Sequence, residues 1–271
     1  MIEYNVFPEG KKRIVTFSFD DGLENDKELA SLFDKYGMKC TFNLTGCEMD
    51  DAKIQEFRAR YIGHEIACHT VHHGTLNNMP LQTIVEETMP NRKLLERIAN
   101  YPVVGMALPS NAASYNEDVK TAMKMCGILY MRAGWSTKNF YMPEDFLEWH
   151  STCHHKDAME LADQFLADID NYFTGPLFMI KGHSWEFNSE KKWEAFENLL
   201  KKLAGNEKIW YATSMEIYKY VTAQKSLMIS ADETMFYNPT SIPVWVVKNK
   251  KQIIEIPAGA TIILDKETNY E

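Results

Sequence analysis

The sequence predicts an α/β protein, a distorted (β/α) barrel of about seven βα units, with a small antiparallel β extension at its C-terminus. Short β-branched or aromatic segments alternate with segments of helical periodicity along most of the chain. The strand segments are nearly continuously apolar, which is typical of a parallel sheet covered by helices. After residue 222, short strand-like segments are separated by prolines, and helical periodicity is absent.

Each predicted unit is a strand followed by a helix. The first strand, residues 14–19, is followed directly by Asp20, and the next helix ends at Gly37. Further strands are predicted at 40–44, 65–68, 103–108, 128–131, 177–180 and 209–212, with helical segments between most of them. Pro90 lies inside the helix predicted for residues 81–98, where we expect a kink or a break. In such a barrel the chemistry lies at the C-terminal ends of the strands.

Two domains are predicted, an α/β barrel over residues 1–222 and a β-rich extension over residues 223–271. The extension contains apolar segments at 244–247, 252–256 and 261–264. A segment of this length is too short to bury a core of its own, so we expect it to pack on the barrel.

Composition excludes several partners. The chain has 29 basic and 38 acidic residues, a net charge of −9 and no basic run, so neither nucleic acid nor an anionic membrane is an expected partner. No apolar stretch matches a signal peptide or a membrane span. Five cysteines, an odd number without C-x-x-C pairs, are typical of reduced thiols. A cytoplasmic location is therefore predicted, and a homo-oligomer is left open.

Two adjacent carboxylates, Asp20 and Asp21, end the first strand. Side chains of consecutive strand residues point in different directions, so one carboxylate can bind a metal while the other acts as a base. The alternative is a turn or helix start, with an aspartate cap and a tight bend at Gly22.

A histidine cluster, residues 69–73 (HTVHH), follows the third predicted strand. On a helical turn His69 and His73 would share one face and reach one cation. The alternative is a solvated turn. Residues 64–68 (HEIAC) begin like the zinc-protease motif H-E-x-x-H, but they lack the second histidine and read as a strand, so that mechanism is not expected.

His183 follows a late apolar strand and is a candidate general acid or base, or a structural histidine. One carboxylate and two imidazoles make a three-ligand metal site with an open position for water. The remaining carboxylate can take a proton from that water, and a separate histidine can protonate a leaving group.

These motifs, in this order, resemble the polysaccharide deacetylases of carbohydrate esterase family 4, above all intracellular bacterial members. Residues 16–22 (TFSFDDG) match the family's first motif with small changes, and residues 69–73 match its H-[S/T]-x-x-H motif. The resemblance extends over about residues 12–222 and implies a distorted barrel with a metal-dependent hydrolytic site. It implies that Asp20 is the catalytic base, that Asp21, His69 and His73 are the metal ligands, and that His183 is the general acid. Zinc is the expected metal, and cobalt, nickel, manganese and iron suit the same donor set.

The third family motif, R-x-P-[F/Y]-G, is altered. Residues 107–111 read ALPSN, with Pro109 kept and no arginine. Backbone N–H groups near Ser110 are candidates for stabilising an oxyanion. Our hypothesis is that Arg132, placed after the next strand, supplies the missing guanidinium. Trp135 is the candidate for the tryptophan that the family places near the acetyl group.

Two further segments contain candidate substrate contacts. His154 lies in a second histidine-rich segment, 149–155, which is either part of the cleft or a surface loop. Trp185, just after His183, either contacts substrate or caps the strand.

The resemblance implies N- or O-deacetylation of an acetylated saccharide. The missing signal peptide favours a small acetylated saccharide over a polymer. Two alternatives remain, a cyclic-amide hydrolase on the same barrel, as in allantoinase-like relatives, and a non-catalytic carbohydrate-binding protein.

Overall fold

The structure, a computed structural model, describes residues 2–109, 115–167, 169–170 and 175–264. The chain divides into two compact units. The larger unit comprises Val15–Asn206 and Tyr211–Met215, and the smaller comprises Met1–Ile14, Glu207–Trp210 and Glu216–Glu271. The boundary between residues 222 and 223 stays a prediction, because the contacts group the first residues of the chain with its last strands.

The elements are numbered in chain order. The strands are β1 Ile2–Glu3, β2 Arg13–Asp21, β3 Cys40–Leu44, β4 Glu65–Cys68, β5 Gly105–Ala107, β6 Tyr130–Ser136, β7 Trp149–Ser151, β8 Cys153–His154, β9 Leu177–His183, β10 Ile209–Tyr211, β11 Met228–Ile229, β12 Met235–Tyr237, β13 Val244–Lys248, β14 Gln252–Ile256 and β15 Thr261–Ile263. The α-helices are α1 Asp26–Lys35, α2 Asp51–Arg60, α3 Leu81–Ala99, α4 Glu117–Met125, α5 Ala158–Ala167, α6 Glu190–Leu203 and α7 Ser214–Lys225.

A nine-stranded sheet forms the barrel. Its order is β7-β6-β5-β4-β3-β2-β9-β8, with β10 also paired to β2. The ladders from β2 to β7 and between β8 and β9 are parallel. Every residue of β3 and β4 is buried, as expected for strands covered on both faces. The predicted distorted α/β barrel with an antiparallel extension is confirmed.

One continuous segment joins the two ends of this sheet. β7 pairs with β6, with Trp149 opposite Arg132, and β8 pairs with β9, with Cys153 opposite Ile180. Only Thr152 separates β7 from β8, and its N–H donates to the carbonyl of Met179 at 2.9 Å. The barrel therefore closes through residues 149–154. The alternative that this segment is a surface loop is wrong, because the backbone groups of residues 149–154 are hydrogen-bonded to strands on both sides.

Two details of the predicted elements are corrected. The break considered at Pro90 is absent, because α3 runs through it over Leu81–Ala99, whereas the kink stays a prediction. Buried residues of the same helix lie on both sides of this proline, among them Thr88 and Asn91, and their packing offsets the roughly 3 kcal/mol that an internal proline costs. β6 continues to Ser136, so Arg132 lies inside the strand and not after it. Sequence reasoning ended that strand at the first charge, because an unpaired charge is not buried.

The smaller unit contains two antiparallel three-stranded sheets, β1-β13-β14 and β11-β12-β15. The side chains of Phe236, Val246 and Ile256 form its buried cluster. The three C-terminal strands predicted from the sequence are present, whereas β1, β11 and β12 were not predicted. Among the helices of the described residues, none has the length and hydropathy that a bilayer span requires.

Candidate active site

The last two residues of β2 provide the two carboxylates. Asp20 is buried, 6% exposed, and is paired in register with Asn43 of β3. Asp21 has a φ of +86°, a left-handed conformation that is unusual for a side chain other than glycine. The strand therefore turns sharply at its end, and the two carboxylates reach different groups.

Asp21 lies among two histidines from the loop after β4. Its Oδ1 is 3.7 Å from Nε2 of His69 and 3.4 Å from Nε2 of His73, and the ligand atoms of the three residues all lie within 4.8 Å of one another. Nδ1 of His69 contacts the carbonyl of Ala107 at 2.7 Å. The carbonyl requires a proton on Nδ1, so the lone pair of His69 is on Nε2.

These residues fit a divalent cation. Nε2 of His69 is buried and has no hydrogen-bond partner in the part of the chain that the structure describes. Burial lowers the pKa of His69, which keeps its imidazole neutral, the form that binds metal. A carboxylate and two imidazoles are a donor set for zinc and related ions.

The histidine loop is not the helical turn that the spacing suggested. Residues 69–73 are irregular, and both Thr70 and His73 have positive φ, +65° and +57°. Glu87 of α3 holds the loop, because its Oε2 accepts the N–H of His72 at 2.9 Å and its Oε1 contacts Nδ1 of His72 at 2.6 Å. His69 and His73 are thus brought together because Thr70 and His73 adopt left-handed backbone conformations and because the Glu87 carboxylate anchors the loop.

Arg132 binds the Asp20 carboxylate directly. Its Nη2 donates to Oδ1 at 2.6 Å and to Oδ2 at 2.5 Å, and its Nε donates to the hydroxyl of Ser18 at 3.0 Å. Asn43 Nδ2 donates to Oδ1 at 2.9 Å. Burial raises the pKa of Asp20, but the positive charge of Arg132, with contributions from the histidines nearby, more than reverses this and holds the pKa below its usual value. Asp20 is therefore an ionised carboxylate.

His183, the last residue of β9, lies between two carboxylates. Its Nε2 is 3.9 Å from Oδ2 of Asp20, and its Nδ1 is 3.2 Å from Oε2 of Glu186. The backbone N–H of His183 also donates to Oε2 of Glu186 at 3.2 Å. The ring is therefore held with Nε2 toward Asp20.

Three further cationic or imidazole groups surround Glu186. Nε2 of His154 lies 2.9 Å from its Oε2, Nε2 of His155 lies 3.2 Å from the same oxygen, and Lys156 contacts Oε1. Burial raises the pKa of Glu186, but its bonds to Lys156 and the charges of the histidines bring it to about 2. Burial lowers the pKa of His154, and it lowers that of His155 to about 4. At neutral pH the cluster thus has one carboxylate and neutral rings at His154 and His155.

Trp185 connects the two sides of the site. Its Nε1 donates to Oδ2 of Asp21 at 3.0 Å, and its ring centroid is 5.2 Å from that of His183. The side chain is 49% exposed. The indole therefore orients a predicted metal ligand and leaves one aromatic surface to solvent.

The remaining predicted residues have other neighbours or are not described. The ring of Trp135 stacks on His150 at 3.7 Å, with Tyr115 beside it, which gives a separate aromatic cluster. Pro109 is buried directly after β5. Ser110 lies outside the described residues.

Sequence reasoning missed the groups that support Asp20. Asn43 and Ser18 lie in apolar strands and are fully buried, and both bond to the Asp20–Arg132 pair. The available signal was a polar residue inside an otherwise apolar strand, since a buried polar group requires a partner.

The fold and the cluster together define a class, α/β barrels with a candidate metal-ligand set at the carboxyl ends of the strands. The polysaccharide deacetylase family model matches residues 8–131 of the chain. The resemblance to the polysaccharide deacetylase superfamily is thereby confirmed. No curated protein sequence matches the chain.

Solved structures share the fold at low identity. A proposed polysaccharide deacetylase from Mycobacterium smegmatis has a TM-score of 0.63 and 18% identity, over 81% of this chain and 93% of that one. The peptidoglycan deacetylase PdaC from Bacillus subtilis has a TM-score of 0.53 and 17% identity, over 81% and 95%. A family 4 pseudoenzyme from Bacillus anthracis has a TM-score of 0.52 and 15% identity, over 76% and 65%. Because the fold includes a pseudoenzyme, the activity of this chain depends on its own site residues.

Proposed function

We propose that the protein is a metal-dependent hydrolase that removes an acetyl group from an acetylated saccharide by N- or O-deacetylation. The single observation that carries this proposal is the convergence, on one side of the barrel, of the Asp21–His69–His73 ligand cluster with an ionised Asp20 and with His183. Metal ligands, a base and an acid are the groups that hydrolysis of an amide or ester requires.

Asp21, His69 and His73 would hold the cation. When bound, a divalent ion polarises the acetyl carbonyl and lowers the pKa of a water molecule toward neutrality. Trp185, bonded to Asp21, fixes the direction in which one carboxylate oxygen points.

Asp20 accepts the proton of the attacking water. Its carboxylate is ionised and is held in place by Arg132 and Asn43, so little reorganisation is needed before proton transfer. In this proposal Arg132 takes over the orienting role of the arginine that is missing from the third motif.

His183 then donates a proton to the departing amine or alcohol. Its Nε2 faces Asp20, and Glu186 holds its other nitrogen. The proposed acid and the proposed base thus lie on two different strands, His183 on β9 and Asp20 on β2.

The proposed substrate is a small acetylated saccharide. The exposed ring of Trp185 beside His183 supports this class, because a flat aromatic face beside the reacting groups orients an amphipathic ligand such as a pyranose. Neither nucleic acid nor membrane is included in the proposal, since the chain carries a net charge of −9.

Acetate release tests the proposal. The zinc- or cobalt-loaded protein is incubated with a panel of N- and O-acetylated mono- and oligosaccharides, and acetate is quantified. We expect release from at least one compound and a loss of 10²-fold or more in Asp20→Asn, the range of general-base catalysis. Ring opening of a cyclic amide without acetate release would favour the cyclic-amide hydrolase. No turnover of any substrate by the loaded protein would indicate a non-catalytic binding protein.

A further inference from the structure

The Glu186 carboxylate is the centre of a second histidine cluster, of which the proposed reaction uses only His183. Nε2 of His154 lies 2.9 Å and Nδ1 of His183 3.2 Å from Oε2 of Glu186. Nε2 of His155 and the backbone N–H of His183 lie at 3.2 Å from the same oxygen. Lys156 contacts the other oxygen, Oε1. Four nitrogens therefore converge on one carboxylate oxygen.

This number exceeds what hydrogen bonding to that oxygen accommodates. A carboxylate oxygen has two lone pairs, and a neutral imidazole has one N–H and one lone pair. A ring nitrogen that points its lone pair toward Oε2 is repelled by the negative charge of the carboxylate. A cation between that nitrogen and Oε2 would remove the repulsion. Lys156 contacts only Oε1. The four nitrogens around Oε2 therefore still outnumber the two lone pairs of that oxygen.

The cluster is also partly shielded from water. The side chain of Glu186 is 7% exposed, whereas those of His154 and His183 are 24% and 31% exposed. The carboxylate is thus held at the base of the cluster and the two imidazoles form its open side, which gives an ion a path of entry.

We propose that His154, His183 and Glu186 form a second binding site for a divalent transition-metal ion, separate from the Asp21–His69–His73 site. The ligand atoms of the three residues all lie within 4.8 Å of one another. Two imidazoles and a carboxylate are a recurrent zinc donor set, and imidazoles also suit copper, nickel and iron.

Occupation of this site has a consequence that rests on the proposed function. In the proposed reaction His183 donates the leaving-group proton from Nε2, which faces Asp20, while Glu186 holds its Nδ1. An ion bound to Nδ1 would replace the contact with Glu186 and engage the ring on which proton donation depends. Turnover is therefore highest with one ion bound and falls when the second binds.

Metal counting tests the site without any measurement of activity. Chelator-stripped protein is loaded with excess zinc, passed over a desalting column and analysed by mass spectrometry of the metal. We expect two zinc ions per wild-type chain, one in Glu186→Gln and one in Asp21→Ala. His154→Ala provides a second variant in case Glu186→Gln does not fold, and we expect one ion there too. His150→Ala, a histidine outside both clusters, is the control and retains two.

The outcomes separate this site from the proposed function. One ion in the wild type, unchanged in Glu186→Gln and in His154→Ala, overturns the second site whether or not acetate is released. Two ions in the wild type, with no acetate release from any substrate either by the wild type loaded with one ion or by His154→Ala, support the second site and overturn the deacetylase. A single ion that is lost in Glu186→Gln but kept in Asp21→Ala supports the second site and removes the first.

Discussion

The Arg132 guanidinium contacts both carboxylate oxygens of Asp20 through one nitrogen, Nη2, at 2.6 and 2.5 Å, with both side chains buried. A buried ion pair is weak evidence for stability, but removal of one partner leaves an uncompensated charge. In this barrel the pair connects β6 to β2 and determines the ionisation of the proposed base.

The first prediction concerns the energy of this pair. Arg132→Met leaves Asp20 buried and unpaired, so we expect the free energy of unfolding in urea at pH 7 to fall by about 3–5 kcal/mol. The double variant Arg132→Met/Asp20→Asn removes both charges and should recover most of that loss, and we expect reduced turnover in both variants. Strictly additive losses in the two single variants and the double variant would mean that the two charges are not coupled.

The second prediction concerns the histidine loop. In a Glu186→Gln background, which leaves only the first metal site, His69→Ala should lower zinc affinity at least tenfold, because one of three ligands is lost. His150→Ala is the control, since His150 stacks on Trp135 and belongs to neither histidine cluster. Equilibrium dialysis gives both affinities. Equal affinities in His69→Ala and His150→Ala would remove His69 from the ligand set.

The third prediction concerns the indole that bonds to Asp21. Trp185→Phe keeps one aromatic ring and removes the five-membered ring that carries the Nε1 donor, so the carboxylate loses the group that orients it. We expect metal affinity to weaken by about 10–100-fold, the usual effect of losing an outer-shell partner. Trp135→Phe, which alters a tryptophan stacked on His150, should bind metal as the wild type does. An unchanged affinity in Trp185→Phe would contradict this role.

The fourth prediction concerns acid stability. Burial lowers the pKa of His155 from 6.5 to about 4 in the folded protein. As the pH falls through this window, the unfolded chain binds the proton before the folded chain does, so the free energy of unfolding decreases with decreasing pH. This difference in the pKa of His155 between the unfolded and folded chains lowers the free energy of unfolding by roughly 3 kcal/mol between pH 7 and pH 4.

Urea titrations of wild type and His155→Gln at several pH values measure this slope. The variant lacks the imidazole and should lose less stability than the wild type between pH 6.5 and pH 4, whatever its stability at pH 7. Parallel curves for the two proteins over that range would show that His155 does not carry the pH dependence.

The barrel and most of its strands followed from the sequence alone because their signal is local. Apolar strands of four to nine residues, such as β3 and β4, alternate with amphipathic helices, and this pattern has few folded solutions. The ends of the strands also indicated where polar residues collect. For the same reason Asp20, Asp21, His69, His73 and His183 could be predicted from the sequence as candidate site residues.

The partners of those residues were decided only by the tertiary structure, because they depend on contacts between distant parts of the chain. Arg132 meets Asp20 across 112 positions of sequence, and His154 meets Glu186 across the join between β8 and β9. Residues 149–154 appeared as a loop because strands of two or three residues have no detectable periodicity. Their closure of the barrel is what places the second histidine cluster beside His183.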